Sequence, residues 1–200
     1  MSKGQTSGLR IAGLAGALFL LPAVGFCDDI TDSINDGLKA YNEGEYMDSV
    51  ESLNYAVQLI LQKKSEGLAA FLPEALEGWE ASDSSSQAAN SAMFGGGITA
   101  KREYTKGDSQ IAINFAADSP MLQGMMMMFS NPMFATSDGG KLVKIKRQKA
   151  IVKYNESDKG GEIMIIVDNR ILVTINGGNV SLEDMKAYAE AIDYKKLEDS

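Results

Sequence analysis

At Ile98 the spacing of apolar residues changes from three-and-four to two, and this switch constrains the fold more than any other feature of the chain. Before it, Ile30, Ile34, Leu38 and Tyr41 recur at helical steps. Gly44 interrupts, and Val50, Leu53, Val57 and Ile60 resume the pattern to about Lys64. A short glycine-containing link between two amphipathic helices predicts an antiparallel hairpin. After the switch, 98–105 and 109–116 read as strands joined at Lys106, Gly107 and Asp108, with Ile111, Ile113 and Phe115 on one face and Gln110 and Asn114 on the other. Ser119 and Pro120 open a helix, proline suiting a first turn, and it runs to about Ser130, before Pro132. Four strands follow at 141–147, 149–154, 162–167 and 170–175, joined by Gln148, the loop 155–161 and the turn Asp168–Asn169. Ile163 to Val167 is apolar on both faces, as a central strand is. Ser181 and Asp184 resemble a capping box, opening a last helix with Leu182, Met185, Ala189 and Ile192 on one stripe.

The expected fold class is therefore α+β: an N-terminal antiparallel helical hairpin packed on a predominantly antiparallel sheet of about six strands with two helices. The segments are a leader at 1–27, the hairpin at 28–65, a connector at 66–97 and the sheet domain at 98–200. In the connector, Trp79, the single tryptophan, is expected to be partly buried where hairpin and sheet meet. Asp83 to Gln87 reads as the cap of a short helix through Ala88 and Ala89, and Gly95, Gly96 and Gly97 as a flexible lead-in to the first strand. No phosphate-loop pattern accompanies those glycines.

The leader carries Lys3 and Arg10, an apolar run from Ile11 to Leu21, a break at Pro22 and small residues Ala23 and Gly25. That is the layout of a cleaved export signal, and the run falls short of the roughly 20 residues a spanning helix needs. The expected location is the periplasm or outside the cell. Cys27, the only cysteine, admits a second reading as the acylated first residue of a lipoprotein. Val24 and Gly25 suit acylation, bulky Phe26 does not, and Asp28 at the next position resembles an inner-membrane retention signal. A membrane enters only if Cys27 is acylated. With one cysteine no internal disulfide forms, so the core must supply the stability.

Cleavage leaves about 173 of the 200 residues, and losing Lys3 and Arg10 lowers the formal charge of −8 by two, to −10. An acidic balance argues against nucleic acid, which rewards clustered Lys and Arg. Histidine is absent. The commonest general base, activator of nucleophiles and metal ligand go with it, and no catalytic residue or cofactor site is expected.

Gly37, Ala40, Tyr41, Gly44, Tyr46, Ser49, Leu53 and Ala56 follow the order of small and aromatic positions in a tetratricopeptide (TPR) repeat, which 30–64 thus resembles. The resemblance implies close helix approach at Gly37, Ser49 and Ala56, with Tyr46 and Leu53 filling the gap, and a protein-interaction surface. Ser49 stands where the repeat prefers alanine, no proline closes the unit, and no second copy follows. A lone unit must pack on the rest of the chain. In element order the sheet domain is similar to the PsbP and Mog1 type of α-β-α sandwich, small domains used for binding.

Met121, Met125, Met126, Met127, Met128 and Met133 crowd one helix and its exit. Leu122, Met125, Met126 and Phe129 share a face, which leaves Met121, Met127 and Met128 over. Three readings stand: a two-sided core beneath the hairpin, an adaptable contact surface for a partner or apolar ligand, or thioether ligation of Cu(I) in an oxidising compartment. Successive helix positions diverge by about 100°, so a contiguous quartet cannot aim every sulfur at one ion. Asp28, Asp29, Asp32 and Asp36 lack calcium-loop spacing and suit a helix N-terminus. Lys141, Lys144, Lys146, Arg147 and Lys149 read as a solvated sheet edge.

The sequence thus predicts an exported, non-enzymatic protein that binds a protein partner or apolar ligand at the seam of hairpin and sheet, with Met121, Met127 and Met128 as contact residues. The alternatives are methionine-based copper handling and a hydrolase working through carboxylates alone.

Overall fold

The computed structural model describes residues 28–88, 97–131, 133 and 139–199, the side chains of Ala88, Met121 and Met128 excepted. The leader with Cys27 lies outside the described residues, as do Ala89, Gly95, Gly96, Pro132 and Asp138. Helices α1 (Asp29–Glu43) and α2 (Tyr46–Ala69) form an antiparallel hairpin. Asp28 caps α1 by accepting from the Ile30 amide, and Asp29 and Asp32 occupy the first turn, where the helix dipole favours carboxylates. Gly44 at φ 83° ends α1 in the left-handed region, its amide donating back to the Ala40 and Tyr41 carbonyls. The helices meet over small residues: Gly37 and Ala40 of α1, Ser49 and Ala56 of α2 are buried. Helix α2 continues past the expected end near Lys64, because Ser65 and Leu68 extend its buried face onto the sheet.

The strands are β1 (Glu80–Ala81), β2 (Ser85–Ala88), β3 (Ile98–Lys106), β4 (Ser109–Ala117), β5 (Lys141–Ile145), β6 (Gln148–Asn155), β7 (Gly160–Val167) and β8 (Ile171–Gly178). They make one antiparallel sheet in the order β1-β3-β4-β8-β7-β6-β5, with β2 also paired to β3. The sheet exceeds the expected six strands because the connector contributes two. Ser85–Ala88 is a strand, not the start of a helix: it pairs with Ile98 to Lys101 and satisfies backbone groups that β3 would otherwise leave open on that side. The turn after β5 is Lys146–Arg147, both at positive φ, not Gln148, which begins β6.

Alternate strand residues enter two separate cores. On one face Tyr104, Ile111, Ile113, Phe115, Ile163, Ile165, Val173 and Ile175 are fully buried. They lie beneath Leu68 at the end of α2, Leu72 just after it, Met185 and Tyr188 of α4 (Leu182–Ala191), and Leu197 of α5 (Tyr194–Glu198). Each such aliphatic or aromatic side chain contributes about 1.5–3 kcal/mol of burial. The expected last helix is thus two, since Ile192 leaves helical geometry and Asp193 caps α5 through the Lys196 amide. On the other face Ile151 and Met164 pack with Phe129 of α3 (Met121–Ser130). Trp79 is buried rather than partly exposed; its ring lies edge-on to Tyr188 at 5.4 Å, with the Lys106 ammonium 5.8 Å from the ring centre.

Candidate interaction surface

Each hairpin helix carries two rows. The small residues meet across the interface. Beside them, and outside it, run large apolar side chains at helical spacing: Ile34, Leu38 and Tyr41 on α1, and Tyr46, Val50, Leu53, Val57 and Ile60 on α2. These eight are 41–64% exposed. In an antiparallel pair both rows fall on the same side, and Tyr41 and Tyr46 meet edge-on at 5.8 Å at the tip. Tyr46 therefore does not fill the gap between helices. Leu53 does so only in part, lying against Gly37, where an added Cβ would come 2.7 Å from Leu53 Cγ. Helix α1 packs on α2, and α2 alone of the pair makes the main contact with β2 and β3. The sheet offers the apolar row no cover.

Along α2 the row continues through Lys64 and Phe71 into a cleft of about 280 Å³ at the seam of hairpin and sheet. Leu68, Phe71, Ile98, Ala117 and Ile171 give it apolar walls, and Lys64, Asp118 and Arg170 bound it. Lys64 Nζ donates to Asp118 Oδ2 at 2.6 Å, and Arg170 Nε to Oδ1 at 3.5 Å. The Lys64 bond, more than the Arg170 charge, holds the Asp118 carboxyl below its usual range. Gly97, at φ 115°, passes close to this end: a Cβ there would meet the Ala117 carbonyl at 2.9 Å. That is a reason for glycine beyond the flexible lead-in expected.

The methionine helix is elsewhere. Ile151, under α3, points away from Ala150 and Val152, which enter the core that receives the end of α2. Among the described residues, helix α3 therefore covers the face opposite the hairpin and does not line the seam, and its partly buried methionine packs on that opposite face rather than beneath the hairpin. Met125 is partly buried on that core, while Met127 is 68% and Met133 76% exposed. The side chains of Met121 and Met128 lie outside the described residues. Met125 and Met127, two positions apart, point to different sides of the helix, so their sulfurs do not converge.

Asp28, Asp29 and Asp32 sit at the cap and first turn of α1, as the dipole argument expects, whereas Asp36 lies beyond it; among the described residues no cluster of three or more His, Cys, Asp or Glu is disposed to hold a metal ion. Lys141 and Lys144 lie exposed on the edge strand β5, as a solvated edge requires. Among the described residues no helix is long and apolar enough to cross a membrane. Compared with family models, curated proteins and solved structures, the chain finds no match.

The uncovered row was readable in principle. Gly37, Ala40, Ser49 and Ala56 already fill a two-helix interface, so the large apolar residues beside them are surplus to it.

Proposed function

We propose that this is an exported, non-enzymatic protein whose work is to bind another protein through the apolar side of its hairpin and the seam cleft that prolongs it. The observation that carries the reading is the unbroken row from Tyr41 and Tyr46 at the tip to Ile60 near the sheet, left exposed on the helix pair by the described residues. Contiguous apolar patches of more than a few hundred Å² are rare on monomers and mark contact sites. The cleft, at about 280 Å³, falls below the roughly 300–1,000 Å³ of small-molecule sites. It suits one large side chain of a partner better than a free apolar ligand. Binding at the seam is retained from the sequence-based expectation, with the contact residues moved from the methionine helix to α1 and α2.

Photo-crosslinking tests this. A photoreactive residue at Val50 is expected to give a discrete adduct in the native envelope, absent when the probe replaces Asp36 on the acidic side of α1. Equal labelling from both positions, or none from Val50, removes the reading.

A further inference from the structure

Resting on that reading, we infer that the partner is a second copy of this chain, the two hairpins packing apolar side to apolar side as a four-helix bundle about a two-fold axis. Three observations converge on self-pairing.

The first is area. The exposed parts of the eight side chains come to the order of 800 Å² per copy, the share each partner gives to a standard stable interface of about 1,600 Å². No further surface needs to be invoked.

The second is charge. Asp29, Asp32, Asp36 and Glu43 recur at steps of three, four and seven along the side of α1 away from the row. Bordering the row, Thr31, Asn35 and Asn42 on α1 and Asn54 and Gln58 on α2 are uncharged, and the two charges on the same stripes, Lys39 and Glu51, are of opposite sign. A basic partner would find a single carboxylate on this rim, Glu51, offset by Lys39. A second acidic copy meets little net charge across the contact, because Lys39 and Glu51 cancel. The acidic sides face outward, about two helix diameters apart, or roughly 20 Å, well beyond the Debye length of about 8 Å in physiological salt.

The third is pattern. One apolar side and one charged side on an antiparallel helix pair is half of a bundle, and an isologous contact supplies the other half from the same sequence. The tip tyrosines and the aliphatic middle of the row, with Lys64 tied to Asp118 at its inner end, leave no unpaired charge within the contact.

Sedimentation or light scattering of the purified protein over a concentration series is the test. The expected result is twice the monomer mass. Leu38→Glu with Val57→Glu, both at exposed positions, should weaken association roughly a hundredfold or more with unchanged circular dichroism. Asp36→Lys, on the outer side, should leave the dimer intact. A monomer at every concentration, or a dimer that survives the double substitution, overturns the inference. The Val50 crosslink separates the two levels. An adduct with a different protein from a monomeric chain overturns self-pairing and keeps the docking surface. A link from Val50 to residues 11–21 of its own chain also overturns self-pairing and assigns the leader as cover. A monomer with no adduct removes both readings.

Discussion

Ser49 Oγ donates a 2.8 Å hydrogen bond to the backbone carbonyl of Gly37, across the buried crossing of α1 and α2. The serine thus ties the two helices together among the small residues buried between them. Gly37 keeps its own helical bond, so Ser49→Ala leaves no orphaned carbonyl and should cost about 1 kcal/mol. Because α1 packs on α2 and the loss is local, amide exchange within α1 is the sensitive readout. About a fivefold faster exchange is expected there, with the sheet unchanged. Acceleration shared equally by β4 and β8 would show that the bond does not act locally.

Pro73, buried in the connector, has a carbonyl that accepts from Tyr104 Oη at 2.6 Å and from Arg102 Nη1 at 3.3 Å. Burial pushes the Tyr104 phenol far up, so it remains a donor at any ordinary pH. Tyr104→Phe alone should cost about 1 kcal/mol, because Arg102 still serves the carbonyl. Tyr104→Phe with Arg102→Leu strips both donors, and the pair should exceed the sum of the singles by roughly 1 kcal/mol. Denaturation followed by Trp79 emission measures this, since that single tryptophan packs on Tyr188 beside Tyr104. Strict additivity would mean that water or another donor replaces the lost partners.

How much of this was legible depended on whether one segment carried its own signal. The β3–β4 hairpin was readable because Ile111, Ile113 and Phe115 alternate with small or polar residues and Gly107 marks the turn; all three side chains are fully buried. Strand β2 was not. Ser85, Ser86 and Gln87 have neither period nor β-branched residues, and only the vacant side of β3 makes a strand of them. The side of the sheet that receives α3 was equally hidden, because element order does not say which face a connecting helix takes. In the hairpin, periodicity located the apolar rows correctly but not their burial, which depends on what lies opposite.

Lys146 and Arg147 form the two-residue turn between β5 and β6 at φ 44° and 73°. This left-handed turn normally takes Asn-Gly, because other residues pay a steric penalty there. The lysine-rich edge strand masked the turn in the sequence. Arg147→Gly should stabilise the protein by about 0.5–1 kcal/mol, relief of strain outweighing the greater freedom of glycine in the unfolded chain. The thermal midpoint is the measurement, expected to rise by a few degrees. A fall would mean that the arginine side chain contributes more than its backbone strain removes.

Asp118 joins the hairpin to the sheet through Lys64 and joins β4 to β8 through Arg170, at a position with φ 53°. Its carboxyl titrates below the ordinary value of 3.8 in the folded state, chiefly because of the Lys64 hydrogen bond. The folded pKa is depressed, so the ion pair's contribution is fully present above the unfolded value. It fades as pH falls through 3.8 and is gone below the folded value. With both partners about two-fifths exposed, solvent screening holds the contribution to at most about 1 kcal/mol. Asp118→Asn keeps the shape and, like aspartate, tolerates the left-handed backbone. It should destabilise slightly at neutral pH and progressively less as pH falls below 3.8, and salt should narrow the neutral-pH gap. Urea titrations of both proteins across that range measure the difference. A gap that stays constant with pH would assign the role of Asp118 to its turn geometry rather than to its charge.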